Sequence, residues 1–285
     1  MYKASLVLEG GATRGVFTAG VLDYLMEQEI YLSDVIGVSA GSCNAVDYRS
    51  KQIGRTRDCM IVKDKEYSYF CSPKEMIREK SLLDMDMVFE KMPYELIPFD
   101  FNTYFASEMN CEIVVTNCLS GRAEYLTEER DGERLMKLCR ASSSLPLVAP
   151  IVKVDDTPYL DGGLADSIPL EHALESGNEK VVVVLTRNPG YRKKIIKKAT
   201  ADLYRKRYKK YPELVNTIIH RSSIYNRQMQ LIEQMEKEGK IYVIRPMIPC
   251  VSRFEKDYDT LYNFYMHGYD LMKKDIDRLL SYLDS

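Results

Sequence analysis

Five apolar residues in succession, Val181-Val182-Val183-Val184-Leu185, constrain this chain more than any other segment. A strand built from them has no polar face, so both of its sides must be covered. That is the situation of a central strand in a parallel sheet flanked by helices. Residues 4–8, 34–38, 112–117 and 241–244 read as further short buried strands. Between them, Val16, Phe17, Val21, Leu22, Leu25 and Met26 recur at helical spacing. Residues 132–140 and 260–283 also read as helices, and residues 121–126 as a hairpin partner of 112–117. Two short strands, 151–154 and 158–160, flank Asp155-Asp156. Strands alternating with helices predict an α/β fold in three layers, α/β/α, around a mostly parallel sheet.

Composition bounds the function. The 285 residues carry 40 Lys+Arg against 42 Asp+Glu, a formal net charge of −2, which argues against a general nucleic-acid binder. With three histidines, a multi-His metal site is not expected, and no cofactor is either. Seven cysteines at irregular spacings, with no C-x-x-C pair, fit reduced thiols better than a disulfide framework. The apolar run near the N-terminus is too short for a signal-peptide core. No stretch approaches the roughly 18 apolar residues of a membrane span. A cytoplasmic protein is expected, one that could still touch a membrane surface.

Gly37-Val38-Ser39-Ala40-Gly41 is a G-x-S-x-G pattern. By chance alone it arises in roughly one chain in ten of this length. Here an apolar strand precedes it and a helix-compatible segment follows, the setting in which the turn exposes a serine hydroxyl beside a helix N-terminus. An ordinary strand-to-helix turn is the competing reading. Gly10-Gly11-Ala12-Thr13-Arg14-Gly15 is a second strand–turn–helix junction. Its backbone N–H groups suit a phosphate or a tetrahedral oxyanion. The phosphate reading is poor, because neither G-x-G-x-x-G nor a P-loop Lys-Ser/Thr is present.

A serine nucleophile needs a base. His172, His220 and His267 all fall in helical stretches, not on the strand-end loops where a triad histidine sits, so helix packing is their expected role. Asp161, in Tyr159-Leu160-Asp161-Gly162-Gly163, instead stands at a strand end, where a catalytic carboxylate belongs in an α/β sheet.

These pieces, in this order, resemble the patatin-like phospholipase family: a glycine-rich turn ending in Arg-Gly, the G-x-S-x-G elbow and a D-G-G motif. Ala141-Ser142 with Pro146 and Pro150, and Asp166-Ser167-Ile168-Pro169, resemble the family's flanking segments. The likeness covers roughly residues 4–186. The first motif departs from the pattern, with Glu9 and Ala12 flanking two glycines where many relatives have three. The resemblance implies Ser39 as nucleophile, Asp161 as general base, and Gly10, Gly11 and Ala12 as oxyanion hole. Gly15, Gly37, Gly41, Gly162 and Gly163 would support them. Arg14 is expected to buttress the turn through carbonyls or carboxylates, with substrate contact as the alternative.

Residues 1–186 are thus the expected catalytic core. Within it, 50–110, marked by Pro73, Pro93 and Pro98, would form short helices and loops, a candidate cap. Residues 187–285 would be a largely helical extension packed on the same domain. Its segment from Arg192 to Lys210 holds ten Lys/Arg and one acid, Asp202. Interleaved Ile195, Ile196, Leu203 and Tyr204 make it a candidate docking strip for anionic membrane. The expected function is hydrolysis of lipid acyl esters through an acyl-enzyme. An esterase or thioesterase on small soluble substrates and a non-catalytic lipid-binding regulator are the rivals.

Overall fold

The computed structural model describes residues 1–64, 67–72, 74, 76 and 81–285; Pro73 lies outside them. The central sheet contains β1 (Tyr2–Leu8), β2 (Leu32–Val38), β3 (Asn110–Asn117), β4 (Ala123–Leu126), β5 (Val152–Val154), β6 (Thr157–Asp161), β7 (Lys180–Val184) and β8 (Tyr242–Ile244). Their order is β5-β6-β3-β2-β1-β7-β8, with β4 also paired to β3. The β3-β2-β1-β7-β8 stretch is parallel throughout, and β4, β5 and β6 join antiparallel. The hairpin partner of residues 112–117 is therefore β4, and the turn between β5 and β6 places Asp155 and Asp156 at positive φ.

Period-two alternation along the strands splits the core into two layers. Leu6, Leu8, Val182 and Val184 face one cluster, where α1 (Gly15–Glu27), α2 (Ala40–Arg49), α5 (Gly132–Ser142) and α9 (Tyr258–Asp284) lie. Val7, Ile36, Val181 and Val183 face the other, against α6 (Leu170–Glu175) and α8 (Pro212–Lys237). The five residues 181–185 are fully buried, and each such Val or Leu contributes about 1.5–3 kcal/mol of transfer free energy. The short α3 (Arg55–Met60) and α4 (Phe101–Ala106), and α7 (Lys198–Arg207), are further α-helices among the described residues. A π-helical segment, Met87–Leu96, contains Pro93.

Helix α1 is buried from Gly15 through Met26, more fully than its amphipathic spacing predicts. The cause is α9, which covers its outer face. The two backbones cross where a Cβ on Gly20 would run into the Tyr265 carbonyl and one on Gly268 into the Phe17 carbonyl. The C-terminal residues thus complete the three-layer core, and β8 pairs directly with β7. Among the described residues no helix is long and apolar enough to cross a membrane.

Register sets up the site. Leu8 lies beside Gly37, Val38 beside Val114, and Val115 beside Asp161. The ends of β1, β2 and β6 therefore converge around β3.

Candidate active site

Ser39 occupies the one-residue junction between β2 and α2, with φ 56° and ψ −124°. A non-glycine residue at positive φ is strained and persists only where its surroundings hold it. Three bonds do so. The Ser39 N–H donates to Ser142 Oγ at 2.8 Å, Ser142 Oγ donates to the Val114 carbonyl at 2.6 Å, and Ser42 Oγ donates to the Ser39 carbonyl at 2.6 Å. The flanking glycines permit close approach: a Cβ on Gly37 would strike the Gly41 carbonyl, and one on Gly41 the Leu8 carbonyl. Ser142, in the Ala-Ser segment noted in the sequence, is the brace of the elbow.

The glycine turn leaves β1 directly against the serine. A Cβ on Gly10 would lie 2.7 Å from the Val38 carbonyl oxygen and 2.8 Å from Ser39 Cβ. Gly10, Gly11 and Ala12 line the same recess as Ser39, and Ala12 adopts φ 50°. Gly15 opens α1 against Ala40. The preceding Glu9 is buried, accepting from Thr186 N and Oγ1 at 2.7 and 3.1 Å and from Tyr225 OH at 3.0 Å. The Arg14 side chain is buried, makes no hydrogen bond among the described residues, and lines the recess. Burial, then Arg187 and Arg253, lower its pKa to about 10.

Asp161 ends β6 and is 1% exposed. Its Oδ1 accepts from the Gly163 N–H at 2.8 Å. Gly162 packs under the Val114 carbonyl. Asp161 Oδ2 is buried and has no partner at hydrogen-bonding geometry among the described residues. Burial pushes this carboxyl above the ordinary carboxylate range, while Arg221, the nearby Ser39 hydroxyl and the Gly163 N–H pull the other way. A buried carboxylate with an unused oxygen beside a serine has the properties of a proton acceptor. The histidines lie elsewhere: His172 stacks on Tyr125 and meets Glu112 at 2.7 Å, His220 meets the Asn216 carbonyl, and His267 accepts from the Met247 N–H. Among the described residues no three His, Cys, Asp or Glu side chains converge as a metal-binding group.

Two cavities meet at Ser39. One is an apolar arm of about 980 Å³, open solvent at its mouth included, walled by Val46, Met60, Met85, Phe89, Met92 and Phe254. Much of that wall comes from residues 50–110. The other is a polar recess of about 430 Å³, similarly measured, on the side of Asp161 and the glycine turn. Into it project four basic side chains that the sequence did not assign to the site: Arg187, Arg221, Arg253 and, from the basic segment, Lys193. They are scattered over 67 positions with no motif spacing, so only folding brings them together.

The basic segment consequently divides. Arg192 pairs with Glu233 at 2.6 Å. Lys193 turns inward, its Nζ 3.1 Å from Ser167 Oγ and 3.6 Å from the Tyr225 ring centroid. From Lys194 onward the basic side chains are exposed.

The chain belongs to the patatin-like phospholipase family, whose model matches residues 6–174. A second model, the domain of unknown function DUF6363, matches residues 211–284. Among curated proteins, the chain is 28% identical over 271 residues to the uncharacterized protein YjjU of Escherichia coli, covering 88% of this chain and 70% of that one. It is 26% identical over 198 residues to the probable lipid hydrolase 463L of Invertebrate iridescent virus 6, covering 63% and 66%. Among solved structures, VipD from Legionella pneumophila aligns with a TM-score of 0.49 at 12% identity, over 97% of this chain and 67% of that one.

Proposed function

We propose that this protein is a lipid acyl hydrolase working through a Ser39–Asp161 dyad. The observation that carries the reading is the position of Ser39 at the meeting point of an apolar arm and a polar recess. A long acyl chain fits the first and a compact leaving group the second. Ser39 Oγ attacks the ester carbonyl as Asp161 takes its proton. The N–H groups of Gly10, Gly11 and Ala12 hold the oxyanion. Collapse expels the alcohol, which takes the proton back from Asp161. Water, deprotonated by Asp161, then attacks the acyl-Ser39 ester; the acid leaves as Asp161 returns the proton to Ser39 Oγ. Burial strengthens the base, which an ordinary aspartate pKa of about 3.9 would leave too weak, and Arg221 opposes part of that rise.

In this reading residues 1–186 are the catalytic core, 50–110 cap the acyl arm, and 187–285 complete the polar recess. The relative described as a probable lipid hydrolase supports the substrate class. The apolar arm favours long-chain esters over small soluble ones. Hydrolysis of p-nitrophenyl esters of increasing chain length tests this: kcat/KM is expected to rise at least tenfold from acetate to decanoate. A flat or falling series would favour the small-ester reading.

We also place contact with anionic membrane on the exposed part of the basic segment. There Ile195 and Leu203 are 80% and 50% exposed among Lys194, Lys197, Lys198, Lys206, Lys209 and Lys210. Each basic residue near a charged surface contributes about 1 kcal/mol. Cosedimentation should therefore increase with the anionic fraction of vesicles and fall with salt. Equal binding to neutral vesicles would refute the contact.

A further inference from the structure

We propose that Arg187, Lys193, Arg221 and Arg253 of the C-terminal region, with Arg14 of the core, receive a phosphate on the leaving group of the substrate and make the enzyme selective for anionic acyl esters. The proposal rests on the hydrolase reading above and assigns its polar recess a ligand.

The recess sets five basic side chains against two carboxylates, Glu9 and Asp161. Among the described residues, none of the five makes an ion pair within 4.0 Å. Glu9 is already committed to Thr186 and Tyr225. Asp161 must stay free to accept a proton. The cations therefore lack a close carboxylate partner: Lys193 has the Ser167 hydroxyl and the Tyr225 ring, Arg187 has the Tyr191 ring, and among the described residues none is neutralised at contact distance. Burial and mutual repulsion push Arg14, Lys193 and Arg221 below their ordinary values. The Nε atoms of Arg14 and Arg221 are buried without an acceptor. Unpartnered buried donors are costly in a folded protein. A tetrahedral oxyanion bound among them would supply acceptors to several at once, in the forked geometry that guanidinium groups favour.

Placement points to the leaving group. The acyl arm takes one side of Ser39, and the cations lie on the other, beside Asp161. A phosphate a few bonds beyond a glycerol ester would reach them while the carbonyl sits at Ser39. The loop carrying Arg253 is fastened beside the proposed oxyanion turn. Thr13 Oγ1 donates to the Ser252 carbonyl at 2.9 Å, and the Thr13 N–H donates to the Arg253 carbonyl at 3.3 Å. Adjacent residues then face different arms: Phe254 the apolar one, Arg253 the polar one. The extension thereby contributes specificity to a core that holds the nucleophile.

The test compares a medium-chain monoacylglycerol phosphate with the matching monoacylglycerol, both monomeric so that no charged surface contributes. Wild type is expected to favour the phosphate substrate in kcat/KM by at least tenfold. Arg253→Gln and Arg221→Gln are each expected to reduce that ratio by about tenfold or more, mainly through KM, as loss of a charge-assisted hydrogen bond would. Because the ratio compares two substrates on one preparation, partial unfolding cancels. Lys237→Gln, exposed and outside the recess, is expected to keep the wild-type ratio. Hydrolysis of both substrates without preference, or a preference unaffected by either arginine substitution, overturns the proposal and leaves the hydrolase reading intact. Inhibition by inorganic phosphate without any preference for the phosphate ester also overturns it, assigning the recess to free phosphate. Hydrolysis of neither substrate nor any p-nitrophenyl ester overturns both.

Discussion

Replacing Ser39 by alanine should abolish ester hydrolysis, by a factor of about ten thousand to a million if the serine is the nucleophile. The fold should tolerate the change. The bonds that hold the elbow run through the Ser39 N–H and carbonyl, to Ser142 and Ser42, and alanine keeps both. No void or clash is created, since the methyl occupies the Cβ position already packed against Gly10. A fluorophosphonate should form a covalent adduct on the wild-type peptide containing Ser39 and none on the Ser39→Ala protein, with unchanged circular dichroism. An adduct that survives the substitution would remove Ser39 from the chemistry.

Asp161→Asn should lower kcat by about a thousandfold to ten-thousandfold, the range seen when the acidic member of a serine hydrolase site is neutralised. Asparagine can still accept the Gly163 N–H through its carbonyl oxygen, so local structure survives while proton acceptance is lost. The pH profile gives a second readout. A base works only when deprotonated, so activity falls as pH drops through the Asp161 pKa. Burial raises that pKa above the usual carboxylate value. The acidic limb of the wild-type profile should therefore lie above the range of an exposed aspartate, and the residual activity of Asp161→Asn should lack it. Near-normal turnover in the variant would transfer the base to another group.

Much of the fold was legible because its signals are local. The 181–185 run could only be a doubly covered strand, and the parallel sheet with helices on both faces follows from it. The Gly10 and Ser39 turns were legible for the same reason: in each a strand, a tight turn and a helix follow one another directly along the chain. Asp161 was found by its place at a strand end. The surroundings of Arg14 were not legible, because a sequence cannot say whether a buried guanidinium finds a hydrogen-bond partner. The division of the basic segment was not legible because charge counts ignore direction: Lys193 and Lys194 are neighbours in sequence, yet one faces the recess and the other solvent.

By itself the sequence determined which segments form buried strands, where the backbone turns sharply, and which serine and aspartate stand at those turns. These depend on side-chain polarity and steric freedom within a few residues. The tertiary structure alone decided what surrounds Ser39. The apolar arm draws on residues from 12 to 254, and the cation cluster joins Arg14 to Arg253 across the whole chain. Such convergence is set by register between β1, β2, β3 and β6 and by the packing of α9 on α1, long-range terms that no local pattern encodes.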